Sequence, residues 1–341
     1  MKKIGILTGG GDCPGLNPVI RAVVRKSLTV GYEVLGIKDG WKGLIDCNTV
    51  NLDIDSVSGI LAKGGTILGT SRTNPYKKEE DHKKVLENYK KLGLDALIAV
   101  GGEDTLGVAN KLVKEGLKIV GVPKTIDNDL SETDYTFGFD TALNIATEAI
   151  DRLHTTAESH HRVMVVEVMG RHAGWIAIES GLAGGADVIL IPEFDINLDE
   201  VCGVLQKRHK RGRSFSIVVV AEGAKLDSSD VIQKADLDSF GHVRLGGIGQ
   251  VLADLIEKKT GFETRYTVLG HLQRGGSPTA FDRILGTRFG VKAVEMIAEG
   301  KFGEMASLSG NEIISVSIEK AVGKLKTVNK QWYEMAKVFF G

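Results

Sequence analysis

The sequence predicts an α/β protein with mostly parallel sheets, and three observations lead to this fold class. Short runs of β-branched and other apolar residues alternate with longer segments of helical periodicity along almost the whole chain. The apolar runs are nearly continuous, as is typical of strands that helices cover on both faces. Glycine accounts for 43 of the 341 residues, above the roughly 7% typical of proteins, which indicates many turns and close backbone approaches.

The predicted strands and helices follow one another in a repeating order. The apolar runs predict strands over residues 3–8, 33–37, 96–100, 118–122, 162–168, 187–191, 216–220 and 264–269. Helical periodicity predicts helices over residues 16–30, 79–92, 105–115, 141–159, 173–182, 198–210, 246–259 and 280–299. Such an order produces right-handed crossovers between parallel strands. A polar, less periodic stretch, residues 225–245, is interpreted as an excursion within the second half.

The composition excludes several classes of protein. Lys and Arg number 43 against 44 Asp and Glu, so we expect neither a nucleic-acid arm nor a polybasic membrane patch. No run approaches the roughly 20 apolar residues of a membrane span. The three cysteines are too few and too scattered for a disulfide framework or a cysteine zinc site, which predicts a cytoplasmic protein. The 341 residues exceed the roughly 250–300 at which single cores stop growing, which predicts two domains.

Polar loops follow most of the predicted strands. Because ligands bind at the carboxyl ends of strands in open parallel sheets, we expect the functional site among these loops. The first loop, Gly9-Gly10-Gly11-Asp12-Cys13-Pro14, has Pro where the dinucleotide fingerprint needs its last Gly, and the chain contains no P-loop motif. Phosphate binding at the following helix and a purely structural glycine turn both remain open for it.

Two further loops bring carboxylates to the same edge. Glu103 and Asp104 follow one strand, and carboxylates facing a phosphate need a divalent cation such as Mg²⁺ between them. Asp127 and Asp129 follow the next strand, where an Asx-turn is the structural alternative to a general base for phosphoryl transfer. Five arginines lie in or beside turns and favour a phosphorylated substrate: Arg72, Arg162, Arg171, Arg265 and Arg274.

Taken together, these motifs resemble the phosphofructokinase family over essentially the whole chain. The matching segments are residues 6–17, 64–72, 125–129, 166–171 and 267–276. The resemblance implies two Rossmann-like three-layer domains, residues 1–138 plus 273–325 and residues 139–272 plus 326–341. The first would bind the phosphoryl donor and Mg²⁺, and the second would bind the sugar phosphate. The reaction it implies is phosphoryl transfer to the 1-hydroxyl of fructose 6-phosphate.

The same resemblance assigns roles to individual residues. Asp127 is the implied general base, and Thr125 and Arg171 complete the catalytic set. Glu103, where the family usually has Asp, and Asp129 are the implied ligands of Mg²⁺. The implied donor-binding residues are Gly11, Arg72, Asp104 and Lys124. The implied sugar-phosphate contacts are Thr125, Asp127, Arg162, Met169, Gly170, Arg171, Glu222, Arg265, His271 and Arg274. Because Arg162 and Arg265 reach a neighbouring subunit in the family, a homodimer or homotetramer with shared active sites is implied.

Asp104 and Lys124 address the identity of the phosphoryl donor. ATP-using members of the family typically carry Gly at both positions, and the pair resembles the pyrophosphate-dependent branch. If pyrophosphate overlays the β- and γ-phosphates of ATP, an aspartate at 104 fills the place of the α-phosphate and repels it. Such repulsion is worth about 4 kcal/mol between unit charges about 4 Å apart at an effective dielectric constant of about 20. The resemblance thus implies reversible transfer from pyrophosphate, serving glycolysis and gluconeogenesis.

Three rival functions can be weighed against this one, and the sequence argues against the second and the third. An ATP-dependent 6-phosphofructokinase is the alternative within the same family. A non-catalytic sugar-phosphate sensor would not need Asp127. A dehydrogenase is suggested only by the fold class, and it lacks its glycine fingerprint here.

Overall fold

The computed structural model describes residues 2–226 and 246–341 of the chain. Its strands are β1 (Lys2–Thr8), β2 (Tyr32–Ile37), β3 (Thr49–Leu52), β4 (Ala96–Gly101), β5 (Ile119–Thr125), β6 (Phe137–Gly138), β7 (Val163–Val168), β8 (Val188–Leu190), β9 (Ser216–Ala221), β10 (Thr264–Val268), β11 (Glu304–Ser309) and β12 (Glu312–Ser317). Its helices are α1 (Leu16–Thr29), α2 (Trp41–Asp46), α3 (Glu79–Lys91), α4 (Glu103–Lys114), α5 (Phe139–His160), α6 (Trp175–Ala183), α7 (Leu198–Lys210), α8 (Ile248–Thr260), α9 (Ala280–Glu299), α10 (Ile318–Gly323) and α11 (Lys330–Lys337).

The described strands form two sheets. The large sheet has the order β12-β11-β5-β4-β1-β2-β3, with β6 paired to β5, and the small sheet has the order β10-β7-β9-β8. Pairs β1–β2, β1–β4 and β4–β5 of the large sheet are parallel, as are all three pairs of the small sheet. Antiparallel pairing occurs in the described part of the chain at β2–β3 and β11–β12. The predicted α/β class with mostly parallel sheets is therefore confirmed.

The hydrophobic core continues from one sheet to the other. A single cluster of buried side chains includes Ile4 and Ile6 of β1, Ile150 of α5, and Val166 of β7. Helix α5 leads from the large sheet to the small one, and α1 packs along α9. Because every residue of β4, β7 and β9 is buried, helices cover both faces of these strands.

Several predicted boundaries were wrong in ways that affect the site. Strand β5 extends through Thr125 instead of ending at Val122, so Lys124 is a strand residue. Helix α4 begins at Glu103 instead of Thr105, which puts Glu103 and Asp104 in its first turn. Strand β10 was expected to be buried but is largely exposed, because it lies at the edge of the small sheet.

Other differences lie outside the site. Short or amphipathic segments that carried no clear signal form β3, β6, β11, β12, α2, α10 and α11. Of the excursion predicted over residues 225–245, residues 227–245 lie outside the described part of the chain. None of the helices within the described ranges is long and apolar enough to cross a membrane.

Candidate active site

The loops that follow β1, β4, β5, β7 and β9 converge on one cavity of about 140 Å³, called here the site cavity. Its lining is Gly10, Gly11, Arg72, Gly102, Glu103, Asp104, Thr105, Lys124, Thr125, Asp127, Asp129, Met169, Arg171, His172, Glu222 and Arg274. The carboxyl ends of parallel strands in both sheets thus meet, as the sequence predicted. Twelve of these residues were predicted as site residues from the sequence. Gly10, Gly102, Thr105 and His172 lie in the predicted loops but had been given no role.

The first loop lies close to two side chains at its glycines, Gly9 and Gly11. The N–H of Gly9 donates to the carbonyl of Val100 at 2.9 Å, and a Cβ on Gly9 would lie 2.6 Å from the Thr105 hydroxyl oxygen. A Cβ on Gly11 would lie 2.8 Å from Nη1 of Arg274. That same Nη1 donates to the carbonyl of Asp12 at 3.2 Å. The glycines of this loop therefore let Thr105 and the Arg274 guanidinium reach its backbone.

Glu103 and Asp104 lie in the first turn of α4, and both line the site cavity. A helix N-terminus stabilises carboxylates through its free N–H groups and its dipole. This location explains how two adjacent acidic side chains are tolerated at the end of a buried strand.

Lys124 is a buried cation at the end of β5, with 4% of its surface exposed. Its ammonium donates to the carbonyl of Gly11, so it joins the end of β5 to the first loop. Burial lowers the pKa of Lys124, and Asp12 and Asp127 partly oppose that effect. The site cavity thus has a positive charge set beside the carboxylates of α4 and of the next loop.

Residues 125–136, called here the acidic loop, carry Asp127 and Asp129 into the cavity. The chain turns at Asn128, which adopts a left-handed conformation with φ of 50°, yet both aspartates line the cavity. The N–H of Asp127 donates to Oγ1 of Thr125 at 3.1 Å. Oδ1 of Asp127 is buried and has no hydrogen-bond partner among the described residues. Burial, followed by repulsion from Asp127 and Glu103, raises the pKa of Asp129 to about 7.

The small sheet supplies the other wall of the cavity. Gly170 has φ of 135° and does not itself line the cavity, but its turn is followed by Arg171, which does. The N–H of Glu222 donates to the carbonyl of Val168 at 2.8 Å. Burial, then repulsion from Asp127 and Glu167, raises the pKa of Glu222 to about 7, although Arg171 and Arg274 oppose this. Glu222 and Asp127 therefore face each other across the two sheets.

Besides Gly170, three predicted site residues are absent from the lining of the site cavity. Arg162 directly precedes β7, and Arg265 is the second residue of β10, so both lie at the amino ends of strands. The length of β7, roughly 20 Å for six residues, separates Arg162 from the loops at its carboxyl end. His271 is exposed and lines a different cavity, of about 890 Å³, together with Val268 and Leu272.

Arg162 and Arg265 are held by glutamates on their own edge. Each places a guanidinium nitrogen 2.7 Å from Oε1 of Glu263, and Arg265 also lies 3.8 Å from Glu257. Nε of Arg162 is buried without a hydrogen-bond partner in the described part of the chain. The chain by itself therefore does not bring these two arginines to the site cavity.

The carboxylates of the cavity are candidate ligands for Mg²⁺. Within residues 2–226 and 246–341, no group of three or more His, Cys, Asp or Glu side chains is arranged to hold a metal ion. The unpartnered Oδ1 of Asp127 and the raised pKa of Asp129 nevertheless indicate crowded carboxylates that a cation would stabilise. One or two carboxylates are enough for Mg²⁺ when phosphate oxygens and water complete its shell. The carboxylates of Glu103 and Asp129 therefore fit Mg²⁺ if phosphate oxygens and water supply its other ligands.

Comparison with known proteins gives a consistent result. Residues 3–297 match the family described as phosphofructokinase. The chain is 60% identical, over 99% of its length and 100% of the relative, to a pyrophosphate–fructose 6-phosphate 1-phosphotransferase of Streptomyces coelicolor. It is 52% identical, over 98% of both chains, to a protein of the same organism named ATP-dependent 6-phosphofructokinase 3.

Among solved structures, the chain is similar to the phosphofructokinase of Pichia pastoris in its T-state. The TM-score is 0.84 at 34% identity, and the match covers 99% of this chain but 36% of that one.

Proposed function

The chain belongs to the phosphofructokinase family, and on that premise we propose that it transfers a phosphoryl group reversibly from pyrophosphate to fructose 6-phosphate. The acceptor is the 1-hydroxyl of the sugar, and the products are fructose 1,6-bisphosphate and phosphate. The relative that is 60% identical carries the name of this reaction.

The observation that carries the choice of donor is the pair Asp104 and Lys124 in the wall of the site cavity. A donor with two phosphates fits between them, because the ammonium of Lys124 stabilises the leaving phosphate. The carboxylate of Asp104 repels a third phosphate that would extend past it. Burial of Lys124 strengthens its attraction for the donor, since charges interact more strongly where water is excluded.

Asp127 is the proposed general base. Its Oδ1 is buried and has no partner among the described residues, so a lone pair is available for the proton of the sugar's 1-hydroxyl. The hydroxyl of Thr125 accepts from the N–H of Asp127 at 3.1 Å and lines the same cavity, where it would contact the migrating phosphoryl group. Arg171 faces the same cavity and would stabilise the charge that develops on that group.

Glu103 and Asp129 are the proposed ligands of Mg²⁺. Such an ion, when bound, withdraws charge from the phosphate oxygens and holds the donor in place. The two carboxylates lie on separate segments, one in the first turn of α4 and one in the acidic loop, so a single ion would link these segments.

The sugar phosphate is proposed to lie against the small sheet. Met169, Glu222 and Arg171 would contact the sugar, with Gly170 setting the turn that presents them. Arg274 would contact the 6-phosphate. His271, Arg162 and Arg265 complete the proposed phosphate site only if a second copy of the chain supplies the two arginines.

We propose that the enzyme is a homodimer or homotetramer for this reason. The edge that carries Arg265 also exposes apolar side chains, with Tyr266 44%, Val268 46% and Leu272 70% exposed. Large apolar side chains grouped beside a cavity are typical of an interface. We also propose two domains: residues 1–138 plus 273–325 would bind the donor and Mg²⁺, and residues 139–272 plus 326–341 would bind the sugar phosphate. A cytoplasmic location belongs to the same proposal.

An ATP-dependent 6-phosphofructokinase is the second candidate. A protein of that name is 52% identical to this chain, so overall similarity separates the two activities by a small margin. The local argument from Asp104 and Lys124 favours pyrophosphate.

The test is a direct comparison of donors. Purified enzyme is given fructose 6-phosphate and Mg²⁺ with either pyrophosphate or ATP at matched concentrations, and formation of fructose 1,6-bisphosphate is measured. We expect faster turnover with pyrophosphate, and formation of pyrophosphate in the reverse direction from fructose 1,6-bisphosphate and phosphate. Faster turnover with ATP would overturn the donor assignment while leaving the family assignment intact.

A further inference from the structure

Asn128 separates the two aspartates of the acidic loop and is the point where that loop is anchored. Its side chain is 2% exposed, and its backbone has φ of 50°, an arrangement that non-glycine residues seldom adopt without support. Oδ1 of Asn128 accepts from the N–H of Thr136 at 3.1 Å and from Nζ of Lys326 at 3.0 Å. The direction in which Asp127 and Asp129 leave the turn therefore depends on what holds Asn128.

Lys326 holds the acidic loop with both its side chain and its backbone. Besides Asn128, Nζ donates to the carbonyls of Thr133 at 3.0 Å and Asp134 at 2.7 Å, so all three ammonium protons are used on this loop. The backbone N–H of Lys326 donates to the carbonyl of Asp129 at 2.8 Å. Lys326 does not line the site cavity.

The segment around Lys326 also contacts the wall formed by the small sheet. The indole N–H of Trp175, the first residue of α6, donates to the carbonyl of Lys326 at 2.8 Å. Glu193 accepts from the N–H of Val328 at 2.8 Å and from the N–H of Gly174 at 3.0 Å. Gly174 and Trp175 directly follow the loop that carries Met169 and Arg171. Residues 326–328 are thus hydrogen-bonded to the segments that form both walls of the cavity.

We propose that Lys326 is a positioning residue for phosphoryl transfer, which acts through Asn128 to hold Asp127 and Asp129 in a single arrangement against the loop before α6. This inference rests on the proposed function, because it concerns the geometry of the base and of the proposed metal ligand. Small displacements of a reacting group lower rates strongly, roughly 100-fold for about 1 Å.

The experiment is a double-mutant cycle with Lys326→Met and Asn128→Gly. Glycine at 128 keeps the left-handed backbone available while it removes the side chain that Lys326 holds. We expect each single variant to lower kcat roughly 10- to 100-fold with the KM for fructose 6-phosphate changed less than about threefold. The double variant should be no slower than the slower single variant, since both changes break the same link. Lys324→Met, an exposed lysine two residues away, is the matched control and should keep the parent kcat.

Three outcomes would overturn the proposal. These are a Lys326→Met enzyme with kcat within about twofold of the parent, multiplicative losses in the double variant, or a loss confined to KM. Far-UV circular dichroism shows whether each variant folds. If Lys326→Met does not fold, Lys326→Gln takes its place, and an unchanged kcat in that variant would equally overturn the proposal.

The parent enzyme is assayed first with pyrophosphate and with ATP. If the parent is inactive with both, the proposed function fails. If it uses only ATP, the donor assignment fails and the cycle is measured with ATP.

Discussion

The acidic loop and the edge that carries Arg162 and Arg265 are both charged, but they are built in opposite ways. In the acidic loop, hydrogen bonds that involve Thr125, Thr136 and Lys326 hold the backbone that carries the two aspartates. At the arginine edge, Glu263 pairs with two guanidinium groups at a partly exposed surface, where 42% of its side chain is accessible.

This difference indicates which parts of the site a single chain completes. A loop whose backbone is hydrogen-bonded at several points within one chain keeps its shape whether or not a second copy is present. Exposed ion pairs contribute little and can exchange partners when another charged group arrives. The backbone of the acidic loop is therefore fixed within one chain, and we expect Arg162 and Arg265 to exchange Glu263 for a phosphate if a second copy of the chain brings its substrate to them.

The largest expected effect comes from removing the proposed general base in the acidic loop. Asp127→Ser should lower kcat roughly 1,000- to 10,000-fold, because serine has no carboxylate to take the proton that Oδ1 of Asp127 is proposed to accept from the sugar hydroxyl. Calorimetric affinity for fructose 6-phosphate should stay nearly unchanged. Glu132→Gln, an exposed carboxylate of the same loop, is the control and should keep parent activity. A sensor without catalysis would show no turnover in the parent, and Asp127→Ser would change nothing.

The next largest effect concerns the choice of phosphoryl donor in the site cavity. Changing Asp104→Gly together with Lys124→Gly should lower kcat/KM for pyrophosphate roughly 100-fold, because a buried charge-assisted contact to the donor is lost. The ratio of kcat/KM values for pyrophosphate and ATP is the measurement. Lys114→Ala, an exposed lysine on α4, should leave that ratio unchanged. A double variant with the parent's ratio would show that these residues do not select the donor.

The arginine edge can be tested by mixing subunits. Arg162→Ala alone should raise the KM for fructose 6-phosphate roughly 10-fold through loss of a phosphate contact. Co-expression of this variant with Asp127→Ser should restore parent-like KM in part of the population, because one site of each hybrid then has both Asp127 and the partner's arginine. Homo-oligomers of each variant are the controls. If the hybrids keep the raised KM for fructose 6-phosphate, Arg162 does not serve a neighbouring site.

The smallest effect concerns a buried carboxylate near Lys326. Burial is the main reason that the pKa of Glu179 rises from 4.5 to about 7, and the charge of Lys326 opposes the rise. A carboxyl with a raised native pKa binds its proton more tightly in the folded state, so its contribution to stability falls as pH rises through this range. Glu179→Gln should match the parent near pH 4.5 and be more stable above pH 7 by about 1 kcal/mol, allowing for partial exposure.

Urea unfolding at the two pH values measures this prediction. Glu158→Gln, an exposed carboxylate on α5, is the control and should show no such pH dependence. Equal stability of Glu179→Gln and the parent at both pH values would contradict the prediction.

Much of the site could be predicted because its residues follow strands directly. Asp104 and Asp127 come within a few residues of buried apolar runs, and the carboxyl ends of parallel strands meet at one edge. The local pattern is therefore enough to place Glu103 and Asp127 at one edge of the large sheet, whereas the roles of Arg171 and Glu222, which follow strands of the small sheet, came from the resemblance to the family. The α/β class follows from the same local periodicity.

The sequence by itself determined the fold class, the loops that form the cavity and the acidic and basic residues in them, because these depend on neighbours along the chain. Only the tertiary structure decided which charges are buried, that β10 is an exposed edge, and that Arg162 and Arg265 lie at the amino ends of their strands. It also decided that Lys326 bonds to Asn128 across 198 positions of the chain. No local pattern encodes such a contact, since it forms only when distant segments pack against the same core.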